Sequence, residues 1–261
     1  MEFASGRLQT RKDGAIGWLV FNQPDRLNAV RLDMWRDLPA AVADLAQDAA
    51  IRTIIVAGAG DRAFISGADI AEFGRERFDA ASNRPFTEAV TAATAALAEA
   101  PKPVIAMIKG FCIGGGMVIA SACDFRICAA GSRFGVPAGK LGLGYELDNY
   151  KRLFDIMGPG YALEMITTAR QFTDAEALQA RFVNRVVPPA DLETVAREYA
   201  AMIATNAPMS LAAAKLANRA ALSPALAGVA QAAIDACFDS ADYAEGRKAF
   251  AEKRAPVFSG R

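Results

Sequence analysis

The sequence predicts an α/β core followed by a helical region toward the C-terminus. Short β-rich apolar runs alternate with helical stretches over roughly the first 145 residues, and almost everything beyond reads as helix. Between two of the apolar runs lies Lys109-Gly-Phe-Cys-Ile-Gly-Gly-Gly-Met-Val-Ile-Ala-Ser-Ala-Cys-Asp124, with three consecutive glycines. That stretch reads as strand, glycine turn, short helix and strand.

Taken in order, residues 16–21 (Ile-Gly-Trp-Leu-Val-Phe) form a strand, and residues 22–28 form a polar turn closed by Asn28-Ala29. A helix follows over about 32–47 despite Pro39, then a buried strand over 52–57, which completes a β-α-β unit. A glycine-containing loop occupies 58–70, a polar segment runs to Arg84, and an Ala-rich helix covers about 85–98. Residues 103–108 and 125–129 are strands flanking the glycine turn, and the helix between them spans 115–122. Further on, Gly158-Pro159 marks a helix start by proline in the first turn, and Thr173-Asp-Ala-Glu176 marks another by a capping box.

The 261 residues can bury a full core and predict one main domain with an appendage. With 53% hydrophobic residues and 29 basic against 29 acidic ones, the chain predicts neither disorder nor a nucleic-acid or anionic-membrane partner. The first residues lack the apolar stretch of a secretory signal, and no run approaches the roughly 20 apolar residues of a membrane span. The expectation is a cytoplasmic protein. Four cysteines at 112, 123, 128 and 237 have no CxxC spacing and there is no histidine, so neither a metal site nor a disulfide framework is expected. Ser-His-Asp and Cys-His chemistry is excluded outright. Proton transfer falls to Glu, Asp, Tyr, Lys, Cys or water.

At Gly114, Gly115 and Gly116 another group can approach the backbone where the first N–H groups of a helix lack partners. Such donors suit a negatively charged oxygen. Cys112, Asp69, Asp124 and Lys140 also lie near the glycine loops or the segment that follows them. They read respectively as inert packing, a loop-fixing carboxylate, a helix-end carboxylate and a surface lysine.

Five strings, Phe64-Ile-Ser-Gly-Ala-Asp-Ile70, Pro101-Lys-Pro-Val-Ile-Ala106, Gly114-Gly-Gly116, Ala122-Cys-Asp-Phe-Arg126 and Ala249-Phe-Ala-Glu-Lys-Arg254, fall in order along the chain. Together they resemble the crotonase superfamily, also called enoyl-CoA hydratase/isomerase. The resemblance implies a crotonase (ClpP-like) spiral of repeated ββα units over residues 1–195, which binds the acyl-CoA, and a helical trimerisation region over 196–261. It further implies a homotrimer or homohexamer acting on an acyl-CoA thioester, with coenzyme A part of the substrate and no separate cofactor. By the same resemblance the backbone N–H groups of Ala68 and Gly115 form an oxyanion hole for the thioester enolate. The coenzyme A contacts it implies are Arg26, Leu27 and Ala29, the backbone of Ser66, Gly67, Ala68, Asp69 and Ile70, and Phe250 and Lys253 from a neighbouring subunit. Met117, the 70–90 segment and the 141–148 loop are expected to wall the acyl pocket.

The chain departs from the family where hydratases carry two glutamates. The matching positions are Val118 and Ala138, in Gly115-Gly-Met-Val118 and Phe134-Gly-Val-Pro-Ala138, and neither side chain can transfer a proton. The loop Leu141-Gly-Leu-Gly-Tyr-Glu-Leu-Asp148 offers replacements. Glu146 falls where dienoyl-CoA isomerases carry a catalytic aspartate, and the loop resembles that bearing the nucleophilic aspartate of chlorobenzoyl-CoA dehalogenases. Tyr145 falls where the methylmalonyl-CoA decarboxylase branch carries an active-site tyrosine. Glu146 is therefore either an acid/base that shuttles a proton along the acyl chain or the opening residue of a helix running to about Met157. Tyr145 is either catalytic or part of the pocket wall or core packing. The readings that follow are an isomerase-like enzyme using Glu146, a decarboxylase of a malonyl-type acyl-CoA, or a non-catalytic acyl-CoA-binding protein.

Overall fold

The computed structural model describes residues 1–69 and 79–261. Its strands divide between two sheets. The larger has seven strands in the order β1-β2-β3-β4-β6-β8-β11 and the smaller has four in the order β10-β9-β7-β5. Strands β1 (Glu2–Phe3), β2 (Leu8–Asp13) and β3 (Ile16–Phe21) form an antiparallel edge, and β3 then pairs in parallel with β4 (Thr53–Gly58). Helix α1 (Leu32–Ala46) makes the crossover between β3 and β4.

From β4 onward the chain repeats one move three times. β4, β6 (Val104–Ile108) and β8 (Phe125–Ala129) enter the large sheet in parallel. Each is followed by a short strand of the small sheet, namely β5 (Ala63–Ile65), β7 (Phe111–Ile113) and β9 (Arg133–Gly135), also parallel. After each pair comes a helix: α2 (Ala80–Glu99), α3 (Gly115–Ala122) and α4 (Leu147–Thr168). This is the spiral of ββα units. The main core lies among the two sheets and α1 to α4, with Trp35, Phe21, Phe64, Phe134 and Phe182 wholly buried.

Several boundaries differ from the sequence reading for local reasons. Helix α2 begins at Ala80 rather than near residue 85, because the Asp79 carboxylate accepts the Ser82 N–H and Ser82 reciprocates in a capping box. Helix α4 is kinked where Gly158 adopts φ 76°, ψ 168°, so Pro159 opens its second half as expected. The helical C-terminal half also contains two short strands, β10 (Phe172–Thr173) and β11 (Arg185–Val187), that extend the small and large sheets. Thr173 caps α5 (Asp174–Gln179) through the expected box with Glu176.

Helix α6 (Leu192–Ala204) lies on the outer face of the large sheet, burying Leu192, Ala196 and Ala200 against Trp18, Ile55, Ile105 and Ile127. Residue 195 thus falls inside a helix that packs on the core. Helices α7 (Pro208–Leu222), α8 (Ala227–Phe238) and α9 (Ala241–Glu252) follow. Lys215 of α7 is tied to the core by all three of its donors, at 2.8 Å to the Asp124 carboxylate and 3.1 and 3.2 Å to the carbonyls of Leu97 and Lys102. Asp124 also accepts the Val104 N–H at 2.7 Å, which is the structural part expected of it. Among the described residues no helix is long and apolar enough to cross a membrane.

The chain end folds back on α9. Arg254 pairs with Glu245, whose Oε1 also accepts the Val257 N–H at 2.9 Å, and these bonds hold the Glu245 carboxyl down at about 2 from an ordinary 4.5. A carboxyl depressed by folding contributes stability above its unfolded value and loses it as pH falls through the folded one. The tail contacts should therefore loosen as pH drops from about 4.5 toward about 2. Hydrogen exchange at the Val257 amide would follow this, and Glu245→Gln should show the loosened state already at neutral pH.

Candidate active site

The site is assembled from turns that follow neighbouring strands. β5 and β7 pair in parallel, with Ile65 opposite Cys112, so the turns leaving their C-terminal ends emerge side by side. The first turn carries Ser66, Gly67 and Ala68, and the second is Gly114 leading into α3. Gly67 has φ 125° and Gly114 φ 52°, both in the region that favours glycine. A Cβ on Gly116 would overlap the Ile65 carbonyl oxygen, and one on Gly115 would lie 3.7 Å from the Ala68 nitrogen and 3.2 Å from Trp35 Cζ2. The two backbones meet because side chains are missing there.

Each turn is held from behind. The Gly67 carbonyl accepts the Val30 N–H at 2.8 Å and the Asp69 N–H donates to the Val30 carbonyl at 3.0 Å, so Ala68 between them turns its own N–H away from that partner. The Gly114 N–H donates to the Gly135 carbonyl at 2.8 Å, while Gly115 is the first residue of α3. Among the described residues neither the Ala68 nor the Gly115 N–H has an acceptor. The positive end of α3 adds to the second donor. At its other end, buried Arg126 donates to the carbonyls of Ala120 and Cys123 at 3.2 and 2.8 Å and stacks on Phe182, which caps the helix and fixes its direction.

The polar turn after β3 supports the first loop. Asn28, wholly buried, donates to the carbonyls of Ala59 and Ala63 at 2.9 and 2.8 Å and accepts the Gln23 N–H at 2.9 Å. Next to it, Leu27 sits at φ 52° and its carbonyl takes the Ser66 N–H at 3.0 Å.

A cavity of about 620 Å³ opens in front of the two free donors. Of the residues singled out from sequence, Ser66, Gly67, Ala68, Gly115, Tyr145 and Glu146 line it, as do Val118 and Ala138. Val118 and Ala138, the positions that the resemblance matches to hydratase glutamates, are thus apolar wall of this cavity. Glu146 stands at the helix start of α4, exposed, with Oε1 accepting the Thr87 hydroxyl at 3.0 Å. Tyr145 packs against the core with its hydroxyl sealed and without a partner, and burial pushes the phenol far above its ordinary range. It is a neutral donor near neutral pH and cannot serve as a base there.

The remaining expected contacts lie elsewhere. Arg26 is exposed and reaches Asp69 at 3.5 Å, Leu27 borders a separate recess beside Pro24, and Ala29 uses its carbonyl to accept Gln23 Nε2. Phe250 and Lys253, at the end of α9, do not line the cavity within this chain; Phe250 is 87% exposed over a groove among the C-terminal helices. Ile70 lies outside the described residues, as does the expected 70–90 wall segment up to residue 78. Met117 is a correction: it is wholly buried against Cys112, because one step along α3 turns it from the cavity, and Val118 takes its place as wall. Cys112 is buried with its thiol pushed well up by burial, the inert state expected of it. Lys140 is exposed. Sequence reasoning passed over Trp35 and Asn149; the tryptophan reads from the period of α1 as ordinary core, and the asparagine as a solvated first-turn residue.

Residues 11–261 match the family described as enoyl-CoA hydratase/isomerase. The chain belongs to the enoyl-CoA hydratase/isomerase family. A short-chain-enoyl-CoA hydratase of Clostridium acetobutylicum is 34% identical over 93% of this chain and 94% of its own. A crotonyl-CoA hydratase of Syntrophomonas wolfei is 32% identical over 95% of both chains. The crystal structure of an enoyl-CoA hydratase/carnithine racemase from Magnetospirillum magneticum superposes with a TM-score of 0.92 at 36% identity, covering 98% of this chain and 96% of that one. The spiral of ββα units is therefore the crotonase fold, and the helical C-terminal region belongs to it.

Two outcomes test how this hydratase/isomerase family member holds its paired turns. Gly116→Ala should push the first turn off the second and lower turnover by about 10²-fold, the scale of losing one oxyanion donor. Asn28→Ala leaves the Ala59 and Ala63 carbonyls without their donor and should cost about 2–3 kcal/mol in denaturant unfolding. Wild-type turnover in Gly116→Ala, or wild-type stability in Asn28→Ala, would contradict the packing described.

Proposed function

We propose that this chain is an acyl-CoA enzyme of the hydratase/isomerase type that stabilises a thioester enolate at the Ala68 and Gly115 N–H groups, with Glu146 as its principal acid/base. The observation that carries the reading is the pair of backbone donors left free at the meeting of two turns, facing one cavity. Two fixed dipoles aimed at one point favour an oxygen that gains negative charge over a neutral carbonyl. That preference lowers the barrier to removing a proton from the acyl chain.

The chemistry follows from what lines the cavity. Val118 and Ala138 cannot activate water, so the two positions that the resemblance matches to hydratase glutamates supply no acid or base. Glu146 takes a proton from one acyl carbon, leaving the enolate on the two N–H groups, and returns it at another, so that the double bond shifts with no net gain of atoms. A bound thioester covers the cavity mouth and withdraws Glu146 from water, and the Thr87 hydroxyl holds the carboxylate in place. Coenzyme A belongs to the substrate and no separate cofactor is required. The exposed apolar side chains of the C-terminal helices, Phe238, Tyr243 and Phe250 among them, suit the trimer or hexamer expected of the family.

A second reading, decarboxylation of a malonyl-type ester, is favoured by one feature, apolar Val118 and Ala138 where the resemblance matches hydratase glutamates. Loss of carbon dioxide itself generates the enolate and needs no base. Against it, the charged residues among the described lining are Asp79 and Glu146, which repel a carboxylated acyl group.

Incubation with 2-enoyl-, 3-enoyl-, dienoyl- and malonyl-type CoA esters in heavy water, read by mass spectrometry, separates these. The expected result is deuterium uptake with a shifted double bond, reduced by about 10²-fold or more in Glu146→Gln. Rapid hydration, or full turnover by Glu146→Gln, would remove Glu146 from its role. Carbon dioxide loss selects the decarboxylase, and binding without turnover selects a non-catalytic acyl-CoA protein.

A further inference from the structure

The cavity has two chemically different sides. Trp35, Phe86, Val90, Val118, Val136 and Leu143 make the apolar one. The other is a polar rail across the gap between α2 and the start of α4. Asn83 Nδ2 donates to Thr87 Oγ1 at 3.1 Å, and the Thr87 hydroxyl donates to Glu146 Oε1 at 3.0 Å. One further polar side chain stands on this rail. Asn149, in the first turn of α4, is only 8% exposed, yet its carboxamide forms no hydrogen bond within the described residues.

The Asn149 amide is not sealed away. Polar atoms fully closed off without a partner include Tyr145 Oη and Trp35 Nε1 but neither Asn149 atom. The amide therefore borders open space, and that space is shared. A recess of about 120 Å³ adjoins the main cavity, and Thr87, Val90, Glu146 and Asn149 line both. Asn149 thus stands where the larger cavity passes into the smaller one.

A carboxamide offers two N–H donors and a carbonyl acceptor, and a nearly buried one favours a ligand that satisfies both kinds of bond. A hydroxyl does so with a single atom. A carboxylate does not suit the place, since Glu146 lies beside it and the described cavity charges are acidic. We infer that Asn149 is a specificity-determining residue that selects acyl-CoA esters whose acyl chain carries a hydroxyl group, received in the recess between α2 and α4. This rests on the acyl-CoA reading of the same site and names its substrate class.

The test compares unreactive esters of one chain length by titration calorimetry on the full chain: hexanoyl-CoA against 4-, 5- and 6-hydroxyhexanoyl-CoA. Wild-type protein should bind at least one hydroxylated ester about tenfold more tightly than hexanoyl-CoA, the size of a net neutral hydrogen bond. Asn149→Leu should erase that preference while leaving hexanoyl-CoA affinity intact or improved, and Asn149→Ser should restore part of it. A merely structural asparagine would weaken all four esters together. Equal wild-type affinity for all four, or a preference that survives in Asn149→Leu, would overturn the inference and leave the acyl-CoA site standing. If no ester binds, the acyl-CoA reading fails and the inference falls with it. The wild-type comparison decides the matter even where a variant does not fold.

Discussion

The structure depends on the contact of two backbone turns across a space too small for side chains. Ile65 lies opposite Cys112 in the parallel pairing of β5 with β7, so whatever leaves one strand runs beside what leaves the other. Gly67 and Gly114 take φ of 125° and 52°, which side chains disfavour, and a Cβ at Gly116 would overlap the Ile65 carbonyl. Removing side chains brings the Ala68 and Gly115 amides to one cavity without any side-chain donor. Backbone groups held by neighbours on both sides reorient little as charge develops, which in the proposed reading suits them to a forming oxyanion.

That contact needs α3 to point in one direction, and the helix cannot supply this alone. Eight residues are too few for a stable isolated helix, so its orientation comes from its surroundings. Met117, Ile119 and Ala120 are wholly buried, and Arg126 satisfies the carbonyls at the far end from within the core. A buried guanidinium is costly, and burial lowers its affinity for the proton. Its bonds to helix-end carbonyls and its stacking on Phe182 offset that cost where the helix dipole is negative. The free amide at one end of α3 and the buried cation at the other are two parts of the same arrangement.

What could be read from the sequence follows the range of each signal. The glycine turn, α3 and its flanking strands are local, and the structure bounds the helix at Gly115 and Ala122 as the residues imply. β7, β9, β10 and β11 were not legible because strands of two or three residues carry no period, and their pairing is with distant segments. Within the site, Ala68, Gly115 and Glu146 were found by resemblance, and the structure brings all three to one cavity. Met117 was misplaced because adjacent positions on a helix differ by about 100° in direction, so a one-residue shift moves a side chain from cavity to core. Asn149 left no trace, since a polar residue in a first helical turn reads as exposed until the structure shows it nearly buried.

In the reading by resemblance, Val118 and Ala138 stand where hydratases carry carboxylates, and their neutrality alters the field at the amides as well as removing proton carriers. A carboxylate close to a forming enolate opposes its charge, and in a partly dry cavity that opposition is only weakly screened. With valine and alanine there, the wall between the amides and the core is neutral, and the acidic charge of the described lining resides in Asp79 and Glu146. In the proposed reading the oxyanion donors then act against less opposing charge, while proton transfer shifts to the α2–α4 side. In the same reading the proton carrier, Glu146, stands on the polar rail beside Thr87 and Asn149. If both proposals hold, chemistry along the acyl chain and recognition of that chain share one wall, so a substituent that engages Asn149 also fixes which carbon faces Glu146.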